Sequence, residues 1–339
     1  MKNQVLVGDS GVLLHALPNS TNVKAFVTDP PYGLGTKEPT ADEIDAYLSG
    51  TSGLDTGGDF MGNDWEIPPV FLWKECYRLL EPGHVLMSFA GTRTLDIMLA
   101  GIEAAGFTYM GLLAWVHSQG FPKNLDIGKA IDELAGAERE VVGSRPVAYP
   151  DSPSGYSSVS GNSSARKGGM FGPVEGEIEP GRPITAPATP DAKKWDGWGT
   201  ALKPAWEPIL VFSKGPPKHF KMPEIPFFYC AKAAKGETTL KGEIENNHPT
   251  KKPLALMRWL VGLASQPGDF VLDPYLGSGT TAVACVYEGR DYLGIEMNPE
   301  FADIAKRRVE IVSREVAETK TQRSGFDLAM SSDADPFEE

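Results

Sequence analysis

Residues Phe270-Val271-Leu272-Asp273-Pro274-Tyr275-Leu276-Gly277-Ser278-Gly279-Thr280-Thr281-Ala282 constrain the fold of this chain more than any other segment. A short apolar run, a glycine loop and a helix continuing through Ala284, Val286 and Tyr287 make a strand–loop–helix unit. Gly277 and Gly279 allow the backbone to approach a ligand, and the helix behind them presents free N–H groups at the positive end of its dipole. The run from Gly277 to Ala282 also satisfies the G-x-G-x-x-A dinucleotide fingerprint. Glu296, ending a second strand Tyr292-Leu293-Gly294-Ile295, supplies the acid expected about twenty residues on. Asp273 separates the two readings. A carboxylate at the strand end meets a pyrophosphate unfavourably, but it suits a ligand with ammonium and sulfonium groups, such as S-adenosylmethionine (SAM).

Short apolar runs at 5–7, 25–28, 85–89, 109–116 and 209–212 alternate with helical spacing at 70–80, 94–105, 254–264 and 301–312. This alternation predicts an α/β fold, a doubly wound and mainly parallel Rossmann-like sheet. Two irregular stretches interrupt it. Residues 33–66 hold Gly53, Gly57, Gly58 and Gly62, and read either as a lid or as a long surface loop. Residues 141–190 are dominated by Ser, Gly and Pro.

A second motif carries the chemistry. Asp29-Pro30-Pro31-Tyr32 follows the apolar run Ala25-Phe26-Val27. The prolines fix φ and supply no N–H, so the Pro30 carbonyl is expected to face the site as an acceptor. Ionised Asp29 accepts only, and Tyr32 offers a flat apolar face. Such a group can hold a planar amino group by its hydrogens while a ring stacks on the base that carries it. A plain Pro-Pro turn is the simpler reading of four residues alone. With this tetrapeptide first and the glycine loop late, the chain resembles the permuted beta class of SAM-dependent DNA amino-methyltransferases over most of residues 1–315. Three further segments are similar to that family: Gly120 to Lys123, Thr200 to Pro208, and Asn247 to Pro253.

The resemblance implies a circularly permuted methyltransferase sheet and a site-specific enzyme that methylates the exocyclic N6 of a flipped-out adenine. Cytosine N4 is the nearest alternative, disfavoured because Asp leads the tetrapeptide. A glutamine-amide substrate, whose family leads a similar tetrapeptide with Asn, is more remote, since the permuted order and the segment His248 to Pro253 speak against it. By resemblance, Asp29 and Pro30 bind the target amine, with Pro31 shaping the turn and Tyr32 stacking. Asp273, Pro274, Tyr275, Gly277, Ser278, Gly279, Thr280 and Asn298 line SAM, Glu296 lies at its ribose, and Asp9 lies near its adenine. Thr250 and Lys252 are expected near its carboxylate. Tyr275 departs from the family's usual Phe. Asp9 can equally be a helix cap, and His248 an ordinary loop histidine. No cysteine follows proline, which disfavours ring-carbon methylation of cytosine.

The net charge of −13 is unusual for a DNA binder, but local basic surface decides such binding. Lysines gather between Lys193 and Lys252, either as a phosphate-contacting face or as a solvated loop. Four parts are expected: a catalytic half at 1–137, a target-recognition region with insertions and one core strand near 209–212 at 138–247, a SAM half at 248–318, and an acidic disordered tail at 319–339. Cys76, Cys230 and Cys285 are widely spaced and read as reduced cytosolic thiols, so no metal is expected. No apolar run reaches the length of a membrane span, and Met1 to Gln4 leads into a strand without a signal core. The expected partner is double-stranded DNA in a bacterial or phage-infected cytoplasm. Homodimers are common in the class.

Overall fold

The computed structural model describes residues 2–33, 35, 37–50, 52–57, 66–117, 125–144, 183–199 and 204–332. In chain order the regular elements begin with β1 (Gln4–Val7), α1 (Ser10–Ala16), β2 (Val23–Thr28), α2 (Ala41–Leu48), α3 (Val70–Leu79), β3 (Leu80–Phe89), α4 (Leu95–Ala104) and β4 (Thr108–Val116). There follow α5 (Ile127–Leu134), β5 (Val141–Ser144), β6 (Pro183–Thr185), α6 (Pro190–Lys194), β7 (Trp206–Ser213), β8 (Phe227–Tyr229) and α7 (Lys235–Thr238). The last are α8 (Leu254–Ala264), β9 (Phe270–Asp273), α9 (Thr280–Glu288), β10 (Asp291–Glu296) and α10 (Pro299–Ser332).

Eight strands form one sheet in the order β1-β10-β9-β2-β3-β7-β4-β8. Every neighbouring pair is parallel except those made by β7, which runs against β3 and β4. The expected doubly wound sheet is therefore present. Its faces follow the two-residue period of a buried strand. On β2, Phe26 packs with α1, α3 and α4 on one side, while Ala25 and Val27 pack with α8, α9 and α10 on the other. Strand order reverses between β9 and β2, and Asp273 and Asp29 stand at the carboxyl ends of these two neighbours. In open α/β sheets such a switch point is where ligands bind.

Two compact units divide the chain, one of Met1–His117 with Trp206–Glu339, the other Ser118–Ala205. β7, the core strand expected near 209–212, and the stretch to Asn247 belong to the sheet unit. In the smaller unit, buried Asp132 is the hub. It accepts from the backbone of Ala188 and Thr189, from the Thr189 hydroxyl and, at 2.7 Å, from Arg139. Burial opposes ionisation, but these donors more than offset it and hold the carboxyl at about 2. β5 and β6 pair antiparallel and close the base of the Ser/Gly/Pro-rich stretch, whose middle, 145–182, lies outside the described residues.

Two expectations on local structure are corrected. The 33–66 stretch contains α2, begun by a capping box between Thr40 and Glu43, so local side-chain bonds order part of what composition left irregular. Residues 58–65 lie outside the described residues. The last helix does not stop near Val312: α10 continues to Ser332, through the start of the stretch expected to be a disordered tail. No Pro or Gly stands between Glu300 and Ser324 to end it. Residues 333–339 lie outside the described ones.

Candidate active site at the carboxyl edge of the sheet

Acids end the strands along one edge. Asp9 follows β1, Glu296 closes β10, Asp273 closes β9 and Asp29 follows β2, while antiparallel β7 begins at the same edge with Glu207. An edge of this sign suits cationic ligands and repels phosphate.

The glycine loop occupies one half. Its shape is set from below by α10 and from the side by His248. Gly279 has φ +90°, and a Cβ there would lie 2.9 Å from the Ala305 Cα. Gly277 has φ +56°, and its Cβ would lie 2.9 Å from the His248 Nε2. Arg308, 1% exposed, donates to the Ser278 carbonyl at 2.7 Å and to the Thr280 hydroxyl at 3.2 Å. Burial draws its pKa down to about 10, so it stays charged. Replacing Arg308 by Met leaves these buried acceptors unsatisfied, and the expected loss is about 1–3 kcal/mol of stability by chemical denaturation. If Arg308→Met unfolds at the wild-type denaturant midpoint, the loop does not depend on this strut.

Asp273 is buried, accepting from the Thr281 hydroxyl at 2.5 Å and the Tyr275 N–H at 3.0 Å. Burial raises its pKa to about 6 despite these donors, with Asp29 adding to the rise. The Glu296 oxygens accept backbone N–H groups, from Gly277 and from Asn298 at 2.8 Å each and also from Met297. The carboxylate keeps a lone pair for a further donor. Burial pushes this carboxyl up as well. His248 packs edge-on against Phe301, 4.5 Å between centroids. Burial, with Lys252 and Lys251 near, lowers its pKa to about 4, so it is neutral at neutral pH.

At the other half, Asp29 is engaged on both oxygens. Oδ1 accepts from the Tyr32 hydroxyl at 2.5 Å, and Oδ2 accepts from the buried Lys252 ammonium. The Glu207 Oε2 lies 3.2 Å from the Tyr32 hydroxyl and 3.5 Å from Lys252. Its Oε1 lies 3.8 Å from His117 Nε2. Thr94 donates to the Tyr32 carbonyl at 2.5 Å, which anchors the turn after the two prolines. Burial raises the Asp29 pKa, with Lys252 opposing. Burial also opposes ionisation of Glu207, but Lys252, Lys232 and His117 outweigh it and leave its pKa lowered. Lys252 stays protonated, because Asp29 and Glu207 outweigh its desolvation.

The expected residues thus converge from distant parts of the chain, and several of them also hold the local structure together. Asp9 caps α1 through Val12 N–H at 2.9 Å, which is the alternative that the sequence left open. Asn298 caps α10 through Glu300 N–H at 2.8 Å. Thr250 is exposed and gives its N–H to His248. Lys252 bonds Asp29, so its partner is a carboxylate of the amine end. Ser278 and Thr280 are buried in the loop as Arg308 acceptors, and Pro274 accepts from the Ser10 hydroxyl. Glu207 and Arg308 were missed. An acid beside the apolar run 208–212 signals the first, and the inward stripe Phe301, Ala305, Arg308, Val312 signals the second. Residues 120–123 and 200–203 lie outside the described residues.

A SAM-type sheet whose switch point joins a glycine loop to an Asp-Pro-Pro-Tyr turn defines the class as an amino-group methyltransferase. The family model described as DNA methylase, of the N6/N4 type, matches residues 23–307, and the chain belongs to this family. Among curated relatives it is 41% identical over 83 residues to DNA adenine methyltransferase YhdJ of Escherichia coli K12, covering 23% of this chain and 28% of that protein. The match thus spans under a third of that relative. Type II methyltransferase M.HpaI of Haemophilus parainfluenzae is 23% identical over 320 residues, 88% of this chain and 72% of that one. The crystal structure of the M1.HpyAVI–SAM complex shares the fold, with a TM-score of 0.51 and 18% identity over 90% of this chain and 98% of that one.

Proposed function

We propose that this chain is a SAM-dependent DNA methyltransferase acting on the N6 amino group of an adenine flipped out of the duplex. One observation carries the reading: the Asp29 carboxylate and the Tyr32 ring end the strand beside the one that leads into the glycine loop. The loop's own chemistry fits SAM. Asp273 and Glu296 offer carboxylates to a cation and a diol, beside a loop whose Gly277 and Gly279 take positive φ. When bound, SAM supplies a methyl group on a sulfonium leaving group.

The chain's own residues then do the rest. An exocyclic amine is a poor nucleophile because its lone pair is delocalised into the ring. Asp29 and the Pro30 carbonyl accept its hydrogens, favouring a more tetrahedral nitrogen with an available lone pair. Preorganised acceptors also stabilise the positive charge that develops there. Burial makes Asp29 a better proton acceptor than an exposed aspartate. Tyr32 stacks on the extruded base, offsetting lost stacking in the duplex. The leading Asp and the similarity to a DNA adenine methyltransferase over 83 residues support adenine. The test is incubation with SAM and unmodified genomic DNA, followed by mass spectrometry of the nucleosides. N6-methyladenine is the expected product; N4-methylcytosine overturns the base assignment, and no methylated base overturns the DNA reading.

SAM binding is expected to weaken in acid. With its folded pKa raised, Asp273 favours folding fully below the usual 3.8, and that contribution is lost as pH rises through about 6. A cation binds the ionised form, so SAM affinity falls as pH drops below about 6. Calorimetric titration across this range checks it, with Asp273→Asn expected to bind weakly and to lose the slope. An identical slope in Asp273→Asn would place the titrating group elsewhere.

A further inference from the structure

Lys252 stands where the substrate has to go. Its ammonium bonds the Asp29 Oδ2 and lies 5.5 Å from the centroid of the Tyr32 ring, and the side chain is 8% exposed. An amine accepted by Asp29 and a base stacked on Tyr32 both compete with it. Expelling the ammonium unpaired would be costly, because a buried charge that loses its partner keeps its desolvation penalty. A second acceptor is already in place: the Glu207 Oε2, at 3.5 Å, which also shares the Tyr32 hydroxyl. Lys252 and Lys232 favour the ionised form of Glu207. The Phe89 ring, 4.8 Å from the ammonium, lines the same path with a favourable face.

We propose that Lys252 is a positioning residue that masks Asp29 in the DNA-free enzyme and passes to Glu207 when the target base enters. The proposal rests on Asp29 being the amine acceptor. Two carboxylates and one ammonium make the exchange possible without leaving the ammonium unpaired at any stage, while Asp29 keeps the Tyr32 hydroxyl and gains the amine hydrogens. With base bound, Asp29 turns to the amine hydrogens while the Lys252–Glu207 pair closes. Glu207 therefore acts through Lys252, without touching the reacting atoms.

Substitution of Glu207 tests this. Glu207→Gln leaves Lys252 one charged partner and strengthens the mask. Its single-turnover methylation of unmodified genomic DNA with radiolabelled SAM slows by about tenfold or more, as neutral acceptors bind an ammonium less well than charged ones. SAM affinity, measured separately, is retained. The decisive variant is Glu207→Gln with Lys252→Met, which keeps the wild-type charge of this trio and leaves Asp29 unmasked. Normalised to the fraction of molecules that bind SAM, it is faster than Glu207→Gln alone. A merely structural pair would give a double variant as slow as the single one or slower, and that result overturns the proposal. Should the double variant not bind SAM, Glu207→Asp decides: a rate above that of Glu207→Gln supports the hand-over, and equality overturns it. A wild-type protein that leaves DNA unmethylated overturns the function and the hand-over together, whereas an active wild type matched by Glu207→Gln overturns the hand-over alone.

Discussion

Replacing Asp29 by alanine lowers the single-turnover rate of methyl transfer about a hundred- to a thousandfold, the range found when one preorganised electrostatic partner of a developing charge is removed. The carboxylate stands at the end of β2, fixed by the Tyr32 hydroxyl and, until the base enters, by Lys252. SAM affinity should change little, because Asp273 and Glu296 are held by other donors: Thr281 and Tyr275 in one case, Gly277 and Asn298 in the other. Lys252 keeps a carboxylate in Glu207, which limits the loss of stability. Rapid-quench assays with excess enzyme, alongside SAM titrations, separate the two quantities. A rate within a few-fold of wild type would remove Asp29 from the chemistry, and a parallel loss of SAM binding would make its role structural.

The second large effect concerns Gly279 and is clearest against Gly289. Both have positive φ, +90° and +69°, and both flank α9. A Cβ on Gly289 meets nothing within 4 Å, whereas one on Gly279 lies 2.7 Å from the Ala305 Cβ and 2.9 Å from its Cα. Gly289→Ala therefore carries only the left-handed strain, about 1–2 kcal/mol. Gly279→Ala adds overpacking of about 1–3 kcal/mol against a helix that cannot yield without moving Arg308. SAM binding should fail in Gly279→Ala and persist in Gly289→Ala. Equal destabilisation of the two would mean that α10 does not shape the loop. The glycine is thus demanded by helix packing as well as by ligand approach, and the G-x-G spacing alone does not distinguish these causes.

Much of the fold was legible because its signals are local. Apolar runs with intervening helical stripes identified most of the central strands and helices, since burial on both faces leaves a composition that polar loops do not share. α8 was read to the residue, as Pro253 starts it and apolar spacing fills it. Elements in the irregular stretches were not, because α2 depends on a capping box and β5 on pairing with a strand some forty residues away. Likewise, the two local motifs, Asp29 to Tyr32 and Asp273 to Thr280, were legible because each holds its acid and its turn within a few residues.

By itself, then, the sequence determined the class of sheet, both ends of the site and the charge of the ligand that Asp273 favours. Only the tertiary structure decided the partners of those charges. It put Lys252 on Asp29, 223 positions away, set Glu207 beside both through the reversed direction of β7, and drove Arg308 under the glycine loop. Pairings of this kind depend on strand order and on which helix face turns inward. No spacing along the chain encodes them, because the energy that selects them comes from burying the whole sheet.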